Sequence, residues 1–181
     1  MSEDVVNKTC SFDVCLRCNK SCCQDAKPPL TSGRMAAIVS YLKNRRRNNE
    51  QLFSHEEYWF PSVDSNMFCI FYDKVTKKCR VHEVKPETCC AGPLTFDINL
   101  RTMKIEWFLK KSGLCIYAGG LFGNPQSLEE HLKVAKVDLI RLIRELDGDD
   151  LRVILKREEP ETFKIGEDDL PNEVIEKLCR K

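Results

Sequence analysis

Cys15-Leu16-Arg17-Cys18-Asn19-Lys20-Ser21-Cys22-Cys23 is the stretch on which the reading of this chain turns. It sits in a polar segment that runs on into Lys27-Pro28-Pro29, and with Cys10 it makes residues 10–29 rich in thiols and poor in apolar side chains. Such a segment cannot order itself by burial and reads as an irregular loop that carries ligands. Two residues between cysteines let the chain curl so that both sulfurs approach one metal. Neighbouring side chains diverge in most backbone conformations. Cys22 and Cys23 therefore serve different metals or different edges of a cluster, or one of them only packs.

Working outward, the rest of the composition is that of an ordinary folded chain. Its 181 residues make about one domain. With 42% hydrophobic and 31% charged residues it is neither wholly disordered nor a membrane protein, and no run approaches the ~18 apolar residues of a membrane span. The 29 Lys and Arg against 28 Asp and Glu leave a net charge of +1, so no global basic field draws nucleic acid. Met1 to Cys10 carries Glu3 and Asp4 and no apolar core, so no secretory signal is expected and the compartment is read as cytoplasmic. Thiols there stay reduced or bind metal. The count of 11 cysteines is also odd, which forbids complete pairing within the chain. Thiolate ligation explains it better than disulfides.

A second group of thiols, Cys69, Cys79, Cys89, Cys90 and the more distant Cys115, falls in a stretch that reads as β. Met67 to Tyr72 and Lys78 to His82 form one expected hairpin across Asp73–Lys77. Leu94 to Ile98 and Met103 to Leu109 form another. Upstream, Thr31 or Ser32 caps an expected helix through Lys43 with Met35, Ile38, Val39 and Leu42 at helical spacing. Downstream, Ser127 and Glu130 make a capping box for a helix ended by Gly148. Its stripe of Leu128, Leu132, Ala135, Leu139, Leu142 and Leu146 packs on its own domain or, over 127–147, meets a protein partner. Leu151 to Leu155 is a short strand or more helix, Glu167-Asp168-Asp169 an acidic loop. Pro171 starts a last helix with Val174, Ile175 and Leu178. The pattern predicts an α+β protein. A small metal-stabilised, cysteine-rich domain with β-hairpins spans 10–123, and a helix-rich C-terminal extension, 124–181, packs on it.

Cys15-x2-Cys18-x3-Cys22-Cys23, then Phe68-Cys69, Cys79-x2-His82-x3-Pro86-x2-Cys89 and Pro93, resembles the YkgJ-type cysteine-cluster family, which is named for zinc or iron chelation. The resemblance covers roughly residues 12–117. It implies a metal or iron–sulfur site held by Cys15, Cys18, Cys22, Cys23, Cys69, Cys79, Cys89 and Cys115, with Cys10, Cys90 and Cys179 outside the pattern. Three positions depart from it. Asn19-Lys20-Ser21 has three residues where the family has two, His82 replaces a tyrosine, and Lys85 replaces an arginine whose bidentate fork lysine lacks. Some relatives carry the module in flagellin lysine methylation.

Four thiolates suit zinc and iron–sulfur alike. The sulfur crowding at Cys22-Cys23 and Cys89-Cys90 favours an iron–sulfur cluster, with zinc the alternative. The leading expectation is an electron-transfer or accessory protein. A structural zinc module for protein interaction comes second, and a cluster-dependent protein-modifying enzyme third, without a methyl-donor signature or an assignable catalytic residue. Cys90 and Cys179 are expected to be packing residues. Cys10 or His82 could substitute as a ligand, and His55 and His131 are expected at the surface or its boundary. Arg45-Arg46-Arg47 reads as a solvated helix end. No glycine-rich phosphate loop follows a strand and opens a helix.

Overall fold

Thr31 opens the first helix, its Oγ1 accepting the Arg34 amide at 3.1 Å. This helix, α1, is Ser32–Lys43, as its spacing predicts, and it buries Ile38 and Leu42. The computed structural model describes residues 22–43, 51–157 and 161–180. Cys10, Cys15, Cys18 and Arg45–Arg47 lie outside the described residues. The buried face of α1 joins Leu30, Phe71 and Val81 in the smaller of two hydrophobic clusters. Over it run a short hairpin, β1 (Phe53–His55) with β2 (Trp59–Pro61), and a still shorter one, β3 (Tyr72–Asp73) with β4 (Lys78–Cys79).

The first expected hairpin is thereby corrected to two residue pairs. Met67 adopts φ 62°, which breaks extended geometry before Phe68. Phe68 and Cys69 then bridge to Gln24 and Val63 instead of to the opposite run. At the other end His82–Val84 coils into a 3-10 turn, followed by Lys85 in extended backbone, as a residue before proline must be. Behind Pro86 comes α2, Glu87–Ala91.

The larger cluster is built from an antiparallel sheet in the order β5 (Leu94–Asn99), β6 (Lys104–Lys110), β7 (Thr162–Asp169), with helices laid on it. In β6 the period-2 pattern is plain: Ile105, Trp107 and Leu109 are buried and their neighbours are not. They meet α4, Pro125–Glu145, which buries Ala135, Leu139 and Leu142, while Leu146 just beyond it is also buried. Leu128 and Leu132 lean on the same cluster. The leucine stripe is thus occupied within the chain. Helices α3 (Ile116–Phe122), α5 (Gly148–Leu155) and α6 (Asn172–Cys179) complete the fold. Among the described residues no helix is long and apolar enough to cross a membrane.

Four local readings are overturned. Residues 167–169 are no loop but the end of strand β7, where Asp168 accepts from Trp107 Nε1 at 2.7 Å and from Lys136 at 2.7 Å. Helix α4 is capped by Asn124 with Pro125 in its first turn, because the Asn124 side chain takes the Ser127 amide at 3.1 Å. Gly148 begins α5 rather than ending α4. A Cβ there would meet the Lys177 carbonyl at 2.8 Å, so close approach to α6 explains the glycine. His131 is 3% exposed, not a surface residue.

His131 Nε2 lies 3.1 Å from the Ala91 carbonyl and donates to it, and the ring meets Tyr117 edge-on. Nδ1 is buried without a hydrogen-bond partner. Burial pushes the imidazole below its ordinary 6.5, against the opposing pull of the Ala91 and Gly92 backbone. The folded chain therefore keeps His131 neutral while the unfolded chain protonates it. The resulting stability is full above pH ~6.5 and is lost as pH falls through that value towards the depressed folded pKa. Urea unfolding on both sides of pH ~6.5 checks this. The parent should weaken on acidification more than His131→Gln, which retains an N–H for Ala91 and has no titration.

Candidate metal centre

Backbone pairing, not proximity in sequence, brings the thiols together. The Cys69 amide donates to the Cys23 carbonyl at 2.7 Å, and the Asp25 amide to that of Met67 at 2.9 Å. Cys79 stands opposite Tyr72 in the β3–β4 pair, and the Arg80 amide donates to Phe71 at 2.8 Å. The Arg80 guanidinium also donates to the Ile70 carbonyl. Two aspartates shape the turns that carry these cysteines. Asp64 Oδ1 accepts from Asn66 and Phe68 at 2.8 and 3.0 Å, and Asp73 Oδ1 accepts from Val75 and Thr76 at 2.9 and 3.0 Å. Cys89 arrives on α2, and the side chains of Cys69 and Cys79 lean against the smaller hydrophobic cluster.

The electrostatics tie these residues into one set. Burial first, then the charges of Cys69, Cys79 and Cys22, push the Cys23 thiol up to about 12. Burial pushes Cys69 up to about 11, with Cys79 adding to it and backbone N–H groups of Phe71 and Tyr72 opposing. Cys79 is raised by burial against the opposing Val81 amide, Lys85 and Arg80. Cys89 is raised well above its ordinary value by burial and by Cys23, Cys69 and Cys79. By surface area Cys89 is exposed. Area measures access, so the thiol is open to solvent while dense protein around it disfavours its charge. Cys22, beside Cys23, is exposed as well.

The other sequence candidates are placed differently. Cys115 precedes α3, half-buried against the larger cluster. Cys90 is buried, its Sγ donating to the Lys85 carbonyl at 3.6 Å, and burial lifts its thiol to about 11. Cys179 is exposed at the end of α6. His82 lies in the 3-10 turn just past Cys79, its imidazole held below the ordinary value by burial and by Lys85.

Three residues outside the thiol pattern hold the site's frame. Glu87, 1% exposed, accepts from Arg34 of α1 at 2.7 Å, fixing the helix that carries Cys89 to the smaller cluster. Breaking such a buried pair costs about 3–5 kcal/mol. Lys85, 8% exposed, sits between the 3-10 turn and α2. A glutamate after proline reads as an ordinary acidic first turn, and no local pattern points to an arginine 53 positions away.

Among the described residues no three His, Cys, Asp or Glu side chains already stand at the spacing of a metal's ligand sphere. The chemistry of the donors nevertheless fits a soft metal. Sulfur ligands bind as thiolates, and thiols that resist ionisation because of burial and one another lose their protons to solvent when a cation stands among them. Cys23, Cys69, Cys79 and Cys89 would hold such a metal, and binding would draw them closer.

The model of the family described as "Putative zinc- or iron-chelating domain", with the signature CxxCxxCC, matches residues 14–115. MJ0661 of Methanocaldococcus jannaschii, itself named as an uncharacterized protein, is 30% identical over 151 residues, covering 74% of this chain and 76% of that relative. No solved structure matches the chain.

Serine in place of Cys23, Cys69, Cys79 or Cys89 should each lower the metal retained through purification, read by elemental analysis. Cys90→Ser and Cys179→Ser should leave it unchanged. Stripping the metal with a strong chelator should speed amide exchange around residues 22–25 and 67–80 and leave α4 protected, as hydrogen-exchange mass spectrometry would show.

Proposed function

Because the chain belongs to the CxxCxxCC family of zinc- or iron-chelating domains, we propose that it is a cytoplasmic metal–thiolate protein whose centre is iron–sulfur. Its role in this reading is electron transfer, or service as an accessory module to a redox partner. The observation that carries the proposal is the backbone pairing that sets Cys69 beside Cys23, with Cys79 in the adjoining hairpin, inside the stretch matched by the zinc- or iron-chelating family. A cluster bound there would supply one-electron chemistry. The chain's own residues bind it through sulfur, orient it by the Asp64 and Asp73 turns, and exclude water on the side that leans on Phe71 and Val81.

Two features favour iron–sulfur. The adjacent pair Cys22-Cys23, with Cys69, Cys79 and with Cys89 on α2, offers more sulfurs than one ion can take, which a polynuclear cluster uses better than a single ion. Cys22 and Cys89 are exposed, which leaves an open edge for electron exchange. Zinc is the second reading, favoured by the same four-thiol set, since four thiolates complete one closed structural zinc site. A protein partner docking on α4 would use its outer face at the exposed Val137, because the leucine stripe is already packed.

Purification without oxygen, followed by elemental analysis and absorption spectroscopy, tests this. Iron with acid-labile sulfide and a visible sulfur-to-iron charge-transfer band is the expected result. Stoichiometric zinc without iron would replace the cluster with the structural reading. Absence of both metals would overturn metal binding altogether.

A further inference from the structure

A lone two-stranded hairpin is marginal in water, and β3 with β4 has only two residue pairs, yet it is what sets Cys79 against the turn that carries Cys69. From the hydrogen bonds that tie these two pieces together, we propose that Arg80 is a positioning residue of the metal centre. It staples the Cys69 turn to the strand end bearing Cys79, so that both sulfurs are held for one centre. It does not itself ligate the metal. This rests on the metal–thiolate reading above.

Cys69-Ile70-Phe71-Tyr72 is a tight turn, closed by the Tyr72 amide on the Cys69 carbonyl at 2.8 Å. Its entry is fixed by two bonds, the Cys69 amide to the Cys23 carbonyl at 2.7 Å and the Ile70 amide to the Ser62 carbonyl at 2.8 Å. Arg80 holds its middle from the other side. The Arg80 amide donates to the Phe71 carbonyl at 2.8 Å, and the half-buried guanidinium donates to the Ile70 carbonyl. One residue next to Cys79 thus takes both central carbonyls of the turn that begins at Cys69. The link is anchored at each end, because Phe71 and Val81 are buried in the smaller cluster and Cys69 and Cys79 lean against it. Any residue except proline supplies the amide. The second bond needs a long cationic side chain, whose N–H makes a stronger hydrogen bond than a neutral one. Without that side chain the Cys69 turn is joined to Cys79 by backbone alone, and a binding metal has to order the turn itself, at the expense of affinity.

The test uses the full chain loaded with Zn(II) alone and challenged with a colorimetric chelator, comparing the parent with Arg80→Met and Arg80→Lys. Groups that orient metal ligands from outside the ligand shell alter affinity by about 10–100-fold. Arg80→Met, which keeps the aliphatic stem and the backbone amide, should hold zinc more weakly by that order. Arg80→Lys, which keeps a charged donor, should recover most of the loss. Hydrogen-exchange mass spectrometry on the metal-free chains supplies the second readout: Arg80→Met should exchange faster over residues 69–81 and as the parent does in α4 and the β5–β7 sheet. Parent-like zinc retention in Arg80→Met overturns the proposal, as does equal loss in both variants. Unchanged exchange over 69–81 also overturns it, since no staple was removed, and so does faster exchange throughout the chain, which would place the effect on folding at large. A parent that takes up neither zinc nor iron would overturn the metal reading itself, a result visible without any variant.

Discussion

Sulfurs that feel one another's charge cannot all ionise unless a cation stands among them, and the smaller half of this fold is organised around that constraint. Without metal, burial favours the neutral thiols of Cys23, Cys69 and Cys79, and repulsion from neighbouring sulfurs adds to it at Cys23 and Cys69. With metal, the same crowding becomes the source of affinity, because one ion relieves every repulsion at once. Protons and metal therefore compete for a single set of atoms. Structural zinc sites in small peptides release ~10–16 kcal/mol on binding, which compares with the ~5–15 kcal/mol net stability of an entire domain. Among the described residues the smaller cluster buries Leu30, Ile38, Leu42, Phe71 and Val81. A metal bound at its edge would weigh as heavily as its apolar core.

Helix α2 is where this site meets the rest of the molecule. One of its first-turn residues, Glu87, is bound to Arg34 of α1, and its last residue, Ala91, belongs to the larger cluster and accepts from His131 of α4. Cys89 lies between these anchors. A movement of the Cys89 sulfur toward a metal is therefore opposed or shared by both clusters, since close-packed interiors transmit displacement instead of absorbing it. The larger cluster, with its continuous sheet and the long helix α4, is the more rigid support, and the thiol-bearing turns are the part that yields.

What could be read in the sequence was whatever a local period or a cap expresses. Helix α1, the β5–β6 pair and α6 follow from apolar spacing and from Thr31 and Pro171. Strand β7 did not announce itself. Its Lys164, Glu167 and Asp168 are charged, and they are accommodated because Lys164 meets Glu106 across the sheet and Glu167 on its own strand, while Asp168 meets Lys136 from α4. The start of α4 was misplaced because Ser127 and Glu130 imitate a capping box three residues inside a helix that Asn124 already caps. His131 gave no sign of burial, since its partner is a backbone carbonyl 40 positions away. At the site itself, the kinds of donor were legible from cysteine spacing. Their convergence was not, because it depends on residues 23–25 pairing with 67–69, and no side-chain pattern encodes that bridge.

That bridge also explains why the donors are scattered along the chain. Ligands drawn from one short segment could close on a metal by themselves and would stabilise little beyond that segment. Here the ion would tie Cys23 to Cys69, Cys79 and Cys89, closing long loops whose entropic cost rises only slowly with length, about 0.6 kcal/mol for each doubling. The backbone pairing of Cys69 with Cys23 and of Cys79 with Tyr72 meets part of that cost before any metal arrives. What is left for the ion is a short contraction of side chains already facing one another's charge. Such a site would gain affinity from the fold, and the fold would gain a cross-link that, unlike a disulfide, does not depend on oxidation.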